Sequence, residues 1–330
     1  MPLVFGRIPT CWFIYSITHD TCVYRDRRSR PSTTCSSLLD AIQPSFLLFP
    51  FKDYLHCCSM EKFFVKLERD PSLQLSCFFI PDSNLNPSKR LIVFLNGINI
   101  PHKLWYPVVQ ILNDNLKECP PMLLYDRVGQ LGSIRLNKDV AGRPSGHGRD
   151  CLDATYDLRE VIAHTAEKRL GINPQRLDSL RIIIAASSVS CAIARLYAAE
   201  FPKTVAALVL LDSTLANSDT VSIFPDPESP GFSSAALPTG VTPELCADSR
   251  RKIFPVYGSE SRNPEGLWRG TLPSLLPHSD SPKLEGPDPG TPYVTVIQHD
   301  PEVFPLQVYQ VFSTHAIRVF QCGANGFNRR

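Results

Sequence analysis

The chain has 330 residues, 43% of them hydrophobic and 20% charged, which supplies a full apolar core and excludes a disordered or fibrous protein. The formal net charge is +2, and with no long basic run there is no electrostatic footprint for nucleic acid. No apolar stretch approaches the roughly 18–20 residues of a membrane-spanning helix, so neither a nucleic-acid partner nor a membrane span is expected.

The 11 cysteines include five before Met60 and six scattered after it, with no C-x-x-C pair and no zinc-finger spacing. They read as free thiols of an intracellular protein, and the expected location is cytoplasmic. Residues 1–59 carry no sustained period of 2 or 3.6; they read as an irregular extension upstream of the biological start. Regular patterning begins at Met60. Strands are predicted at 63–67 and 73–80, a turn at 84–88, and a buried strand at 90–95 that ends in Asn96-Gly97. A helix is predicted at 105–116 and another buried strand at 122–125, closed by Asp126-Arg127-Val128-Gly129.

Residues 152–170 repeat apolar positions at threes and fours, and Asp153 and Asp157 lie near the N-terminal end, where the helix dipole favours them. A strand at 181–186 runs into a helix at 190–200, stopped by Phe201-Pro202, and a strand at 205–211 ends in Asp212-Ser213-Thr214. Residues 215–292 hold 13 prolines and no long period, which fits either a loose surface insertion or a lid over a pocket at the C-terminal strand ends. A last strand is predicted at 293–297, before Gln298-His299-Asp300. Alternating strands and helices predict an α/β fold with a mostly parallel sheet covered on both faces. The expected organisation is an extension (1–59), a first core part (60–214), an insertion (215–292) and a last core part with an aberrant tail (293–330).

The segment Ala186-Ser187-Ser188-Val189-Ser190 places a serine at the apex of a tight turn between a buried strand and a helix. It resembles the nucleophile elbow of the α/β-hydrolase superfamily, G-x-S-x-G, with small residues at both glycine positions. Other stretches are similar to that family in order: Asn96-Gly97-Ile98 followed by Trp105, Tyr125-Asp126-Arg127-Val128-Gly129 with Gly132-Ser133, and Val209-Leu210-Leu211-Asp212. The likeness covers roughly residues 60–305 and is nearest to small fungal-type esterase- or lipase-like members linked to secondary metabolism.

The resemblance implies an α/β-hydrolase fold and a serine hydrolase acting on a small-molecule ester or thioester. Ser188 would be the nucleophile, with the backbone N–H groups of Val189 and Ile98 as oxyanion donors. Asn96 and Gly97 would line the substrate site, Asn96 standing where the family usually has His; as a plain strand-end turn residue it fits equally. The acid would be Asp300, which follows the last strand, or Asp212, which follows the strand before it; family order favours Asp300.

The base would be His315, which precedes a strand-like stretch instead of following one, so the family's histidine is expected to be missing from this tail. The alternative reading is therefore a relative that kept the fold without the chemistry. His102 lies in the predicted oxyanion loop and faces the pocket in one reading; His147, His164 and His278 occupy no triad position by order. No metal site is predicted, since no H-x-H or H-E-x-x-H appears, and no cofactor, since no G-x-G-x-x-G follows a strand.

Overall fold

A computed structural model describes residues 59–82, 89–133, 139–213, 225–237, 239–278 and 281–298, together with three short strands before them. Those three, β1 (Trp12–Ile14), β2 (Thr21–Arg25) and β3 (Leu48–Pro50), pair antiparallel in the order β1-β2-β3 within a unit spanning Met1–Cys57. The predicted turn at 84–88 lies outside the described residues.

The second unit, Cys58–Arg330, is built on a seven-stranded sheet. Its strands are β4 (Glu61–Lys66), β5 (Gln74–Ile80), β6 (Arg90–Leu95), β7 (Met122–Tyr125), β9 (Arg181–Ser187), β10 (Val205–Leu211) and β12 (Tyr293–Ile297). The spatial order is β12-β10-β9-β6-β7-β5-β4. The five strands from β12 to β7 are parallel; β5 runs antiparallel to β7 and to β4. At the β4 edge Phe63 and Val65 are buried while Phe64 between them is exposed, the alternation of a half-covered strand. In the middle, Leu91 to Leu95 are all buried, as a strand covered on both faces requires.

Helices connect the parallel strands: α1 (Tyr106–Asn115) between β6 and β7, α2 (Cys151–Leu170) between β7 and β9, and α3 (Ser190–Glu200) between β9 and β10. The first crossover moves toward β5 and the next two move the opposite way. Because such crossovers are right-handed, α1 covers one face while α2 and α3 share the other. Neighbouring strands β6 and β9 thus send their chains to opposite faces, and the loops that follow them stand at the topological switch point, the usual ligand position in such sheets.

α2 begins with a reciprocal capping box. Asp150 accepts from the N–H of Asp153, whose side chain accepts from the N–H of Asp150, and Gly171 closes the helix in the left-handed region at φ 65°. On its buried side Arg149 donates to the Asp157 carboxylate. Burial pushes the Asp157 carboxyl up to about 6, and the Arg149 charge beside it offsets only part of that.

The native state therefore holds this proton up to a higher pH than the unfolded chain, whose Asp titrates near about 3.9. Stability from this group is greatest below about pH 4 and falls as pH rises toward 6, by roughly 3 kcal/mol in all. Asp157→Asn is expected to flatten that segment of the curve. Denaturant midpoints of both proteins between pH 4 and 7 check it, the difference between them removing the other carboxylates.

The proline-rich segment after β10 holds more order than its sequence period predicts. A helix α4 (Pro243–Tyr257) starts at Thr242, whose hydroxyl accepts from the N–H of Leu245 at 3.2 Å, and buries Cys246, Ser249 and Ile253 at helical spacing. A short α5 (Leu272–Leu275) follows. Two-residue strands β8 (Arg149–Asp150) and β11 (Leu267–Trp268) pair in parallel and tie this segment to the start of α2.

Candidate active site

The register of the parallel strands sets the site. Leu95 pairs with Ala186, Ser187 with Leu211, and Leu211 with Ile297. The residues that leave the sheet next, Asn96, Ser188, Asp212 and Gln298, therefore emerge along one edge.

Ser188 occupies the left-handed region at φ 56°, a conformation that strains any residue with a Cβ. Its N–H donates to the Leu211 carbonyl at 2.9 Å, which pins the turn to β10. α3 begins two residues later, and no backbone acceptor takes the N–H of Val189 among the described residues. Ser188 is half-buried and its hydroxyl donates no hydrogen bond among the described residues. Cys191, one turn on, is no rival nucleophile: its thiol is buried, donates to the Ala186 carbonyl at 3.3 Å, and burial pushes its pKa up to about 12.

Ser190 stands where the family pattern has a second glycine, and its side chain is used. The buried hydroxyl donates to the Asn96 carbonyl at 2.5 Å and accepts from Arg127 Nη1 at 2.6 Å. The first turn of α3 is thereby fastened to the loop after β6.

In that loop Gly97 approaches the serine closely. A Cβ on Gly97 would lie 3.5 Å from Ser188 Cβ and 2.8 Å from Ile100 Cδ1, so only glycine fits without a shift. The Gly97 carbonyl accepts from Arg127 Nη2 and Gln130 Nε2, each at 3.0 Å. Since a trans peptide carries its N–H opposite its C=O, the Ile98 N–H is held facing away from Arg127 and Gln130. That N–H has no backbone acceptor among the described residues. Asn96, 1% exposed, donates from Nδ2 to the Tyr125 carbonyl at 2.8 Å and to Gln130 Oε1 at 3.1 Å, while its Oδ1 has no partner among the described residues. Its amide thus binds the end of β6 to the end of β7.

Two residues that sequence reasoning did not single out complete this layer. Arg127, 4% exposed, closes β7 and meets Glu265, also 4% exposed, with Nη2 at 3.0 Å from Oε2 and Nε at 3.2 Å. Arg127 was visible only as part of the Tyr125-to-Gly129 motif. Glu265 follows Asn263-Pro264 in the proline-rich segment, where a lone acid reads as a surface residue.

Asp212 is exposed, adopts φ 47°, and donates its N–H to the Ile297 carbonyl at 2.8 Å. It leaves β10 one position beyond Leu211, beside the Ser188 turn. Asp300 and His315, like His299, lie outside the described residues.

The described histidines are engaged elsewhere. His102 is buried with Nδ1 2.9 Å from Asp126 Oδ2 and Nε2 3.0 Å from the Tyr106 hydroxyl, and it stacks on Phe78 at 3.7 Å between ring centroids. The pocket-facing reading of His102 therefore gives way to a packed core histidine: both ring nitrogens are taken. His147 sits between the Pro144 and Ser261 carbonyls, each at 3.3 Å. His164 stacks against Phe63, and its burial, with Lys168 and Arg169 adding, holds its pKa below the usual value. His278 is exposed.

A mostly parallel sheet with an antiparallel second strand carries a strained serine between its fifth strand and the following helix. This is the α/β-hydrolase fold. Neither a family model nor a curated protein matches the sequence.

Solved structures similar to the chain include MGS-M2, an α/β-hydrolase enzyme from a Medee basin deep-sea metagenome library, at 18% identity and TM-score 0.33 over 45% of this chain and 43% of that one. The Aspergillus niger epoxide hydrolase matches at 16% identity and TM-score 0.36 over 62% and 44%. Cfl2 from Burkholderia cenocepacia matches at 16% identity and TM-score 0.42 over 79% and 95%. The matched region thus spans less than half the length of the first two. No helix among the described residues is long and apolar enough to cross a membrane, and no group of three potential metal ligands occurs among them.

Proposed function

We propose that this α/β-hydrolase-fold chain is a serine hydrolase that cleaves a small ester or thioester. Ser188 attacks the carbonyl carbon, and the N–H groups of Val189 and Ile98 receive the negative charge that develops on the oxygen. Each such donor is worth about 3–4 kcal/mol in the transition state. Asp300, or Asp212 at the preceding strand, orients the base, and His315 takes the serine proton and returns it to the leaving group.

One observation carries this reading. Ser188 holds a left-handed backbone at the switch point between β6 and β9, its Cβ against Gly97 and the N–H of Val189 following it at the start of a helix. Strain of this kind persists where the surrounding structure holds it and clusters at active sites. A second reading, a protein that kept the fold without turnover, draws on a separate fact: among the described residues no histidine hydrogen-bonds Ser188, and His102 and His147 have both ring nitrogens engaged.

A fluorophosphonate probe separates the two. The hydrolase is expected to label at one residue, with labelling lost in Ser188→Ala. Folded wild-type protein that stays unlabelled supports the second reading.

A further inference from the structure

We infer that Glu265 is a positioning residue for the oxyanion loop, so that the proline-rich segment acts on the site through a side chain that does not itself react. This rests on the hydrolase reading above and deepens it.

One buried carboxylate reaches both ends of the loop 96–99. It accepts directly from the backbone N–H of Asn99. Through Arg127 and through Gln130, whose Nε2 lies 2.9 Å from Oε1, it also holds the two groups that grip the carbonyls at the start of the loop. Arg127 Nη1 donates to the Asn96 carbonyl at 2.5 Å, and Arg127 Nη2 and Gln130 Nε2 share the Gly97 carbonyl. The Ile98 N–H lies between these fixed points, and the rigid peptide passes the constraint to it. Asn99 itself stands at φ 58°, the third position of a turn closed by the Ile100 N–H on the Gly97 carbonyl at 3.3 Å, so its N–H is presented to the carboxylate by the turn.

The segment is seated to deliver this carboxylate. A Cβ on Gly129, at φ 87°, would lie 2.5 Å from Glu265 Cα and 2.6 Å from its carbonyl oxygen, so the Glu265 backbone rests directly on the turn after β7. Asn263 closes the local loop, its side chain donating to the Leu267 carbonyl at 2.8 Å and accepting from the Leu267 N–H at 3.2 Å. The Gly266 carbonyl accepts from the N–H of Arg149 at 3.2 Å, beside the β8–β11 pair.

A purely structural ion pair is the competing explanation. The test uses the full chain carrying Arg127→Met with Glu265→Leu, which removes both charges together and leaves neither one buried alone. Circular dichroism first establishes that the variant folds.

The expected result is a fall of about 100-fold in kcat on p-nitrophenyl acetate with KM within about threefold. Amides 96–100 are expected to exchange faster while those of α2 and β9 keep their protection. Glu265→Asp, which keeps the charge against Arg127 but draws the carboxylate back from the Asn99 N–H, is expected to lower kcat by less than the double variant does; it also takes over both measurements if the double variant does not fold. Wild-type kcat or unchanged loop exchange in a folded variant overturns the inference. A wild-type protein that neither hydrolyses the ester nor labels overturns the hydrolase reading instead, and the exchange measurement then decides the role of Glu265 by itself.

Discussion

Ser188→Gly is expected to give a protein that is inactive and no less stable than the wild type. The left-handed backbone at φ 56° costs a residue with a Cβ about 1–2 kcal/mol. Glycine adopts it freely but gives back about 0.5–1 kcal/mol through the greater freedom of its unfolded chain. The difference leaves a gain between nothing and about 1.5 kcal/mol, and each kcal/mol raises Tm by about 2–4 °C in a domain of this size. Esterase activity is expected to fall at least about a thousandfold, because removal of the nucleophile leaves only binding and oxyanion stabilisation. Thermal unfolding and p-nitrophenyl acetate turnover on one preparation check both halves. A variant that loses stability together with activity shows that the serine side chain supports the turn.

Arg127→Met alone is expected to be among the most damaging single substitutions. It leaves the Glu265 carboxylate buried without its countercharge and strips a donor from the carbonyls of Asn96 and Gly97 and from the Ser190 hydroxyl. Breaking one side of a buried pair costs about 3–5 kcal/mol, or about 10 °C in Tm. The paired change with Glu265→Leu is expected to recover much of that, since replacing both charges by apolar groups is often near neutral. Urea midpoints of the single and double variants, compared on one m-value, measure the recovery.

The parts of this molecule that local pattern governs were legible before the structure. The strands 90–95, 122–125, 205–211 and 293–297 sit where their apolar runs predict, and the Ser188 turn lies between its strand and helix. The first three bury faces that their own residues define, whereas 293–297 pairs with β10 but is exposed along its whole length. The network beneath the oxyanion loop was not legible, since Arg127 and Glu265 are 138 residues apart and nothing local to either announces the other. His102 was misplaced for a related reason: a histidine in a loop reads as solvent-facing until Asp126 and Phe78 are brought around it. Helix α4 was within reach, for Thr242-Pro243 is an N-terminal signal and Cys246, Ser249 and Ile253 follow at helical spacing. Pro255 inside its last turn masks it, since an interior proline ordinarily breaks a helix.

Ser190 carries a consequence for how such a chain diverges. Its hydroxyl joins the Asn96 carbonyl to the guanidinium of Arg127, so reverting it to the glycine of the common pattern would remove a joint the neighbouring loop now uses. A double-mutant cycle over Arg127 and Ser190 is therefore expected to be non-additive, with a coupling of about 0.5–3 kcal/mol, because the two side chains share one hydrogen bond and one loop carbonyl.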